Sequence, residues 1–340
     1  MKKTIIDVAN ELHLSPSTIS KIVNGKGRIS QETRERVLKY VQESGYVAMS
    51  SARILSSKKS WTIGVIYSDI SLIGFEHPFF SRILQAFKNE VEREGYEIVL
   101  IVSKLGHNEL TYLDWCRNKK VDGVFILMGN INNPNIQQLV ESPIPVVSAD
   151  IVMPNLSSVI SDDAMGVKIY LDYAQSLGFK HLGIITGPLT ARSFYNRLDH
   201  FRTYMSQRNL EYQESDIYVA QGFGFEDGYV IGQMIARQIT HPDIFLVTSD
   251  VIAFGVIRGL QDHGVQVPDD ISIVGYDDID FAKHYSPALT TIKQDTKEIG
   301  SRAARHLLHE IMHPSPKKQS IELVPVLLVE RHTTKKKLMT

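Results

Sequence analysis

Two short stretches near the N-terminus place apolar residues at helical spacing. The first stripe is Ile5, Val8, Ala9 and Leu12, and the second is Leu14, Ile19, Ile22 and Val23. The turn residues 13–15 offset the second stripe from the first, so the pattern predicts two short helices joined by a tight turn. The second helix has a polar face that comprises Ser15, Ser17, Thr18, Ser20, Lys21 and Asn24. Such side chains hydrogen-bond to phosphates and base edges, which predicts DNA binding.

A third amphipathic stretch runs over Gln31–Ser44. Ser30 precedes it in the position of an N-cap, and Gly45 is expected to end it. Its buried face is predicted to comprise Val37, Leu38 and Val41. The serine-rich segment 50–57 is only weakly helical, and a short helix is marginal without packing. We therefore expect a linker there that becomes ordered only on a partner.

From residue 61 onward, short continuous apolar runs alternate with amphipathic stretches. The predicted strands are 62–67, 97–102, 123–127, 145–149, 158–161, 182–186, 216–219, 244–247 and 271–276, and the predicted helices include 79–95, 164–178, 197–208, 224–237, 250–263 and 296–312. This alternation is typical of parallel sheets with helices on both faces. So many strands, in an order that repeats near residue 160, predict an α/β fold of two doubly wound lobes. Ligands would bind between the lobes, at the carboxyl ends of the strands.

Composition bounds the class of protein. A chain of 340 residues is too long for one core, so two or three domains are expected. No apolar run approaches the roughly 20 residues that a membrane span needs, and the N-terminus lacks a signal-peptide core. Cys116 is the only cysteine, which excludes an internal disulfide and suits a reducing cytoplasm. We expect a cytoplasmic protein with no membrane partner.

The net charge of −1 hides an asymmetry between the two ends of the chain. Residues 1–60 contain 11 Lys and Arg against 5 Asp and Glu, a net charge of +6, whereas the remainder has 26 against 33, a net charge of −7. A basic end on an otherwise acidic protein favours binding to phosphates without general adhesion to nucleic acid. These charges lie among periodic apolar residues, which argues against a solvated tail.

Seven segments in order resemble the LacI family of transcriptional repressors. They are DVANELHLSPSTISKIVNG, RISQETRERVLKYVQESGY, WTIGVI, HPFF, VDGVFIL, GYDDIDFAKHYSPALTTIKQD and LLVERHTT. The resemblance covers nearly the whole chain. It implies a helix-turn-helix headpiece (1–47), a hinge (48–60) and a periplasmic-binding-protein-like domain for effector binding and dimerisation (61–340). The first lobe would comprise about 61–160 plus 293–330, and the second about 161–292. A homodimer on a pseudo-palindromic operator, controlled by a small effector, is the implied function.

The resemblance also implies roles for individual residues of the DNA-binding part. Pro16, Ser17 and Lys21 match positions of the recognition helix that meet bases in the major groove, whereas Thr18, Ser20 and Asn24 are expected mainly at phosphates. Ser15 belongs to the same DNA-binding face. Arg53 and Leu55 fall in the hinge, where the family's leucine wedges into the minor groove. The alternatives are a solvated helix face for the first group and packing between two linkers for Leu55.

Three positions depart from the family pattern. His13 replaces the usual glycine of the helix-turn-helix turn, so we expect a left-handed backbone there. Ala48-Met49 replaces the usual Pro-Asn before the hinge helix, which leaves that helix without its customary start. Ser249 replaces an asparagine that many sugar-binding members carry.

The family's ligand pocket maps onto eight residues of this chain. They are Phe79, Asp150, Asp162, Ser193, Arg197, Phe223, Asp250 and Asp277, with the two phenylalanines as stacking walls. Arg197 and Asp277 are expected to hydrogen-bond to neighbouring hydroxyls or a carboxylate of the ligand. Three of these residues have alternative roles: Arg197 in a structural ion pair, Asp277 in a turn and Asp162 as a helix cap. The acidic positions favour a polyol, sugar or amine-bearing effector, and Arg192 leaves an acidic or phosphorylated sugar open.

Other signals are weaker. GFGFEDG has the wrong spacing for a nucleotide-binding loop, and the stripe of His306, His309 and His313 has no evident fourth ligand for a metal ion. We expect no cofactor, no metal and no catalytic residue. A sugar-binding protein without a DNA role and an enzyme are the alternative classes. The basic N-terminal end argues against the first, and no nucleophile–base pair supports the second.

Overall fold

The computed structural model describes residues 3–23, 27–46, 59–67, 77–102, 104–105, 107–208, 210 and 212–337. The chain divides into two compact units, Met1–Trp61 and Thr62–Thr340. Asn24, Ala48-Met49, Arg53 and Leu55 lie outside the described residues, so the expectations for them stay predictions.

The first unit contains three helices, α1 (Ile5–Glu11), α2 (Pro16–Val23) and α3 (Gln31–Ser44). Their shared core consists of Val8, Ala9, Ile19, Ile22, Val37 and Tyr46. The predicted bounds and caps of α3 are confirmed, because the Ser30 side chain accepts from the Thr33 amide and Gly45 has φ = 64°. The prediction for Leu38 is wrong. Leu38 is 44% exposed, because it falls on the solvent side of α3, next to the buried Val37.

The turn between α1 and α2 has the backbone conformation that the sequence predicts for it. His13 has φ = 52°, which confirms the left-handed backbone. The Leu14 amide donates to the Ala9 carbonyl at 2.9 Å and closes the turn. At the other end of α1, the Asp7 carboxylate accepts from the Thr4 amide at 2.7 Å and the Asp7 amide donates to the Thr4 hydroxyl at 3.3 Å. The Thr4 amide and the Thr4 hydroxyl both donate to the Asp7 carboxylate and lower its pKa, the amide contributing most.

The second unit contains fourteen described strands. In chain order they are β1 (Thr62–Tyr67), β2 (Glu97–Leu100), β3 (Lys104–Leu105), β4 (Asn108–Glu109), β5 (Gly123–Met128), β6 (Val146–Ser148), β7 (Ser157–Ser161), β8 (Leu182–Thr186), β9 (Ile217–Val219), β10 (Ile244–Val247), β11 (Ser272–Asp277), β12 (Thr290–Gln294), β13 (Ser320–Val324) and β14 (Val326–Val329). They form two six-stranded sheets, β13-β7-β6-β5-β1-β2 and β14-β12-β11-β10-β8-β9, and a hairpin of β3 and β4. Every pair in the large sheets is parallel except β12 with β14.

Helices follow most of these strands. They are α4 (Pro78–Arg93), α5 (Tyr112–Lys119), α6 (Pro134–Glu141), α7 (Asp163–Ser176), α8 (Arg192–Gln207), α9 (Phe225–Ala236), α10 (Asp250–Gln261) and α11 (Thr296–Met312). Two-lobed α/β architecture is therefore confirmed. Helix α8 begins five residues before the predicted start at 197, and this extra turn brings Arg192 and Ser193 to its N-terminus.

The chain crosses between the two sheets three times, after β7, after β12 and after β13. The block 293–330 is expected in the first lobe, but this assignment is wrong for Val326–Val329, which pairs with β12 in the second sheet. The reason is register. Thr291 lies opposite Val329 and Gln294 opposite Val326, so an antiparallel strand completes the edge of the second sheet.

Glycines bring α9 and α10 into close contact. A Cβ atom on Gly228 would overlap the Ile252 carbonyl oxygen, and one on Gly255 would overlap the Phe225 carbonyl oxygen. In the same region, the Asp227 carboxylate accepts from the Gly224 amide at 3.0 Å. Glycines in and after GFGFEDG thus serve helix packing and the start of α9.

Candidate functional site

The polar face of α2 is open to solvent. Ser15, Pro16, Ser17 and Lys21 are exposed, whereas Thr18 and Ser20 are half-buried. The Ser15 hydroxyl accepts from the Thr18 amide at 3.1 Å and lies 2.9 Å from the Ser17 hydroxyl. Ser15 therefore caps α2, as well as lying on the face predicted to contact DNA. Exposure leaves the side chains of Ser17 and Lys21 available to a partner.

A cleft of about 620 Å³, part of it solvent at the mouth, separates the two lobes. Its lining comes from the carboxyl ends of strands in both sheets and from the first turns of α4, α7 and α8. The lining residues are His77, Phe79, Phe80, Met128, Ala149, Asp150, Ser161, Asp163, Ala191, Arg192, Ser193, Phe194, Arg197, Phe223, Thr248, Ser249, Asp277, Gln294 and Ile299. Parallel α/β sheets bind ligands at this edge, so the cleft is the candidate ligand site.

Six of the eight predicted pocket residues line this cleft, and two do not. Asp162 is the N-cap of α7, where its carboxylate accepts from the Met165 amide at 2.9 Å. Asp250 is completely buried below the cleft, where it accepts from the Ile279 amide at 2.9 Å and from the Thr291 hydroxyl at 2.6 Å. Burial raises the pKa of Asp250 to about 6. Both carboxyls therefore hydrogen-bond to other groups of the protein and do not line the cleft.

Sequence reasoning missed Asp163, which is the centre of the cleft's ion-pair network. The Arg192 Nη1 donates to Asp163 Oδ2 at 3.1 Å, and the Arg197 Nε donates to Asp163 Oδ1 at 2.9 Å. Arg197 also donates to the Thr248 carbonyl at 2.8 Å and lies 3.6 Å above the centre of the Tyr276 ring. Arg197 thus has the structural ion pair considered as its alternative, and it lines the cleft as well. The Asp162-Asp163 pair was the available signal, but only the structure shows which carboxylate faces inward.

Burial raises the pKa of two further carboxyls in the cleft, those of Asp277 and Asp150. Burial, then the neighbouring Asp250 carboxylate, raises the pKa of Asp277 to about 8. Asp277 accepts from the Gln294 side-chain amide at 2.6 Å. Burial also raises the pKa of Asp150, whose carboxyl accepts from the Gly129 amide at 3.2 Å. At neutral pH, Asp277 can therefore donate a hydrogen bond to a ligand as well as accept one.

Two buried hydroxyls in the cleft have no hydrogen-bond partner in the described part of the chain. They are Ser161 Oγ and Ser249 Oγ, on residues that are 6% and 3% exposed. Buried polar atoms are nearly always paired, with protein, water or a ligand. Ser249 is also one of the departures from the family pattern. Both hydroxyls are positioned to bind a polar ligand.

Aromatic rings form the apolar part of the lining. Phe79 and Phe80 have ring centres 5.2 Å apart on the first lobe, and Phe194 and Phe223 have ring centres 5.4 Å apart on the second. Phe80 and Phe194 were not predicted, because their place in the lining depends on how the α4 and α8 helices are oriented. Rings on both sides provide apolar surfaces for the faces of a ligand.

Comparison with known proteins identifies the family. A model of bacterial regulatory proteins of the lacI family matches residues 4–48, and a model of a periplasmic binding protein-like domain matches residues 171–334. The chain is 31% identical to catabolite control protein A of Priestia megaterium, over 98% of this chain and 100% of that protein. The chain belongs to the LacI family of bacterial transcriptional regulators. Its N-terminal unit is therefore a sequence-specific DNA-binding headpiece, and its lobed unit binds a small effector.

Solved structures agree with this assignment of the LacI-family chain. The Lac repressor dimer bound to operator and the anti-inducer ONPF matches with a TM-score of 0.84 and 25% identity, over 98% of this chain and 100% of that one. A LacI-family regulator from Enterococcus faecium with bound ribose matches with a TM-score of 0.69 and 25% identity, over 82% of this chain and 100% of that one.

The histidines considered as possible metal ligands contact other side chains of the LacI-family chain. The His306 Nε2 lies 2.6 Å from the Glu322 carboxylate, and the rings of His309 and His313 lie 4.6 Å apart. The described residues include no group of three or more His, Cys, Asp or Glu able to hold a metal ion. Across the same described ranges, no helix combines the length and apolar character needed to span a bilayer.

Proposed function

We propose that this LacI-family chain is a homodimeric repressor whose affinity for a pseudo-palindromic operator is controlled by a sugar or sugar derivative bound between its lobes. The observation that carries the proposal is the interlobe cleft, where Arg197, Asp277 and Ser249 offer donors and acceptors between aromatic walls. Support for the class of effector comes from the related regulator that binds ribose. Support for the dimer and operator comes from the Lac repressor.

In this proposal, the exposed face of α2 enters the major groove. Pro16, Ser17 and Lys21 read bases, while Ser15, Thr18, Ser20 and Asn24 contact mainly phosphates. Arg53 and Leu55 bind at the minor groove from the hinge. The net charge of +6 over residues 1–60 supplies the attraction to the DNA backbone, so binding weakens as salt rises. Two linked headpieces bind more tightly than one, because the second binding event is intramolecular.

Effector binding controls DNA binding through the angle between the lobes. Two arginines already connect the lobes across the cleft. Arg192, in the second lobe, donates to the Asp150 carbonyl of the first at 2.6 Å. Arg82, in the first lobe, donates to the Asp278 carbonyl of the second at 3.2 Å and pairs with the Asp280 carboxylate. An effector that changes this angle changes the spacing of the two hinge segments, which couples the two sites. We place the regulator in the cytoplasm, where its DNA partner is, and assign it no reaction and no cofactor.

The test combines a ligand screen with DNA release. Thermal unfolding of the full chain is measured with sugars, sugar acids and nucleosides, since a bound ligand raises the unfolding temperature. Ligands that stabilise the protein are then added to its complex with selected operator DNA. We expect a change in operator affinity that is lost in Asp277→Ala, while that variant still binds DNA. An equal response in wild type and Asp277→Ala would contradict the assignment of the cleft.

A further inference from the structure

Each carboxyl group that lines the effector cleft has at least one hydrogen-bond donor from the protein. Asp163 is shared by the guanidinium groups of Arg192 and Arg197. Asp150 accepts from the Gly129 amide, and Asp277 accepts from the Gln294 amide. Two guanidinium groups thus share one carboxylate in the lining of the cleft. The group of Asp163, Arg192 and Arg197 therefore carries a net positive charge.

Arg192 is held in position but is not saturated. Its Nε donates to the Asp150 carbonyl at 2.6 Å and its Nη1 donates to Asp163 at 3.1 Å. Among the described residues, its Nη2 has no hydrogen-bond partner, and the side chain is 21% exposed. A guanidinium fixed by two bonds and open on the third nitrogen is preorganised for an anionic oxygen.

The N-terminus of α8 lies beside this guanidinium. Helix α8 has 16 residues and begins at Arg192, and its N-cap is Ala191, whose side chain makes no cap hydrogen bond. The amides of the first turn therefore have no capping oxygen from the N-cap side chain. Residues 191–194 all line the cleft. Free amides and the helix dipole favour negative charge at this end.

The two unpartnered hydroxyls in the same cleft point independently to a ligand. Ser161 and Ser249 are each more than nine-tenths buried, and neither hydroxyl has a partner in the described part of the chain. A hydroxyl both donates and accepts, so these two can bind the hydroxyls of a sugar. A ligand that satisfies the whole lining therefore combines hydroxyls with one anionic group.

We propose that the start of α8 is an anion subsite, formed by the Arg192 guanidinium, the Ser193 hydroxyl and the first-turn amides. The effector is accordingly an acidic sugar derivative that carries a carboxylate or a phosphate, rather than a neutral sugar. This inference rests on the proposed effector function of the cleft. Arg192 is the residue that determines this specificity, because its side chain is 21% exposed with Nη2 open, whereas Arg197 is only 4% exposed.

The first test uses inorganic phosphate as the probe. Thermal unfolding of the full chain is followed with phosphate and with sodium chloride at equal ionic strength. Arg202→Gln is the matched control, because Arg202 lies on the same helix and pairs with Glu214 in an exposed position. We expect phosphate to stabilise the wild type and Arg202→Gln, and to bind Arg192→Gln about tenfold or more weakly. Arg192→Lys keeps the charge and should retain part of the stabilisation.

The second test compares neutral and acidic members of matched pairs, such as glucose with glucuronate and with glucose 6-phosphate. Stronger stabilisation by the acidic member supports the inference, and the better acid identifies carboxylate or phosphate as the recognised group. No stabilisation by phosphate, equal stabilisation of Arg192→Gln, or tighter binding of the neutral member would overturn it. Release of operator by a neutral sugar alone would end this inference and leave the proposed function intact. Absence of any sequence preference for DNA would instead end the proposed function.

Discussion

Removing the charge of Asp163 tests whether the cleft is built on a buried ion-pair network. Asp163→Asn preserves the shape of the side chain but removes the carboxylate that Arg192 and Arg197 share at 3.1 and 2.9 Å. The side chains of Asp163 and Arg197 are each only 4% exposed, so water cannot replace the lost partner. The asparagine amide also presents N–H groups toward guanidinium donors.

The expected loss of stability in Asp163→Asn follows from the burial of the ion pair. Breaking a buried ion pair by removing one partner costs about 3–5 kcal/mol, because an uncompensated charge remains. Arg192 is partly exposed and asparagine still accepts one hydrogen bond, so we expect the lower end, about 3 kcal/mol. For a domain of this size, 1 kcal/mol corresponds to roughly 2–4 °C in unfolding temperature. The lobed unit of Asp163→Asn should therefore unfold about 6–12 °C below the wild type.

The assay is differential scanning calorimetry of the full chain, with Asp172→Asn as the control. Asp172 lies on the same helix and pairs with Lys168 at 2.7 Å and Arg208 at 2.6 Å, but its side chain is 50% exposed. Exposed pairs contribute about 1 kcal/mol or less, so this control should lose no more than about 4 °C. Equal losses in the two variants would refute the reasoning that burial makes the Asp163 network strong.

Three further predictions concern other parts of the chain. Lys21→Ala should weaken specific operator binding, measured by fluorescence anisotropy, by about 1–3 kcal/mol. The control Lys39→Ala, on the exposed side of α3, should change operator binding little. Equal effects of the two substitutions would contradict base recognition by Lys21. His13→Gly should raise headpiece stability by about 0.5–1 kcal/mol in urea unfolding, because glycine adopts φ = 52° without strain, and a loss of stability would contradict this. Burial raises the pKa of Asp277 from 3.8 to about 8, so the folded state retains a proton that the unfolded chain releases, and wild-type stability should fall as pH rises from about 4 to about 8. Asp277→Asn should show a smaller fall in calorimetry from pH 5 to 8, since only the raised pKa of Asp250 then remains, and parallel curves would contradict the shift.

Elements with strong local signals were predictable from the sequence. The strands β1, β8 and β10 are short, continuous apolar runs and have their predicted bounds. Helix α3 has both a serine N-cap and a C-terminal glycine, which mark its ends without help from the rest of the fold. The edge strands β13 and β14 were missed, because their pairing joins segments far apart in the sequence. Strand β13 is mostly exposed and contains Glu322, whereas β14 is a short apolar run whose antiparallel partner β12 no local pattern reveals.

The effector site was predictable in composition but not in detail. Arg197, Ser193 and Asp277 line the cleft as expected, whereas the inward-facing carboxylate is Asp163 and not its neighbour Asp162. A one-residue difference decides this, because the first of two aspartates caps α7 and the second turns toward the arginines. Asp250 does not line the cleft, and its carboxyl instead accepts hydrogen bonds from the Ile279 amide and the Thr291 hydroxyl. No local sequence pattern reveals these contacts.

The most direct test of the central claim is a competition gel shift with the full chain at physiological salt. A pseudo-palindromic site selected by the protein competes against random DNA of equal length, with and without an effector found by thermal unfolding. Repressors of this kind prefer their sites by roughly 10³-fold or more, so we expect a preference of that order, altered by the effector. Equal binding to selected and random DNA, or a preference that no cleft ligand changes, would contradict a DNA-binding headpiece controlled from the interlobe cleft.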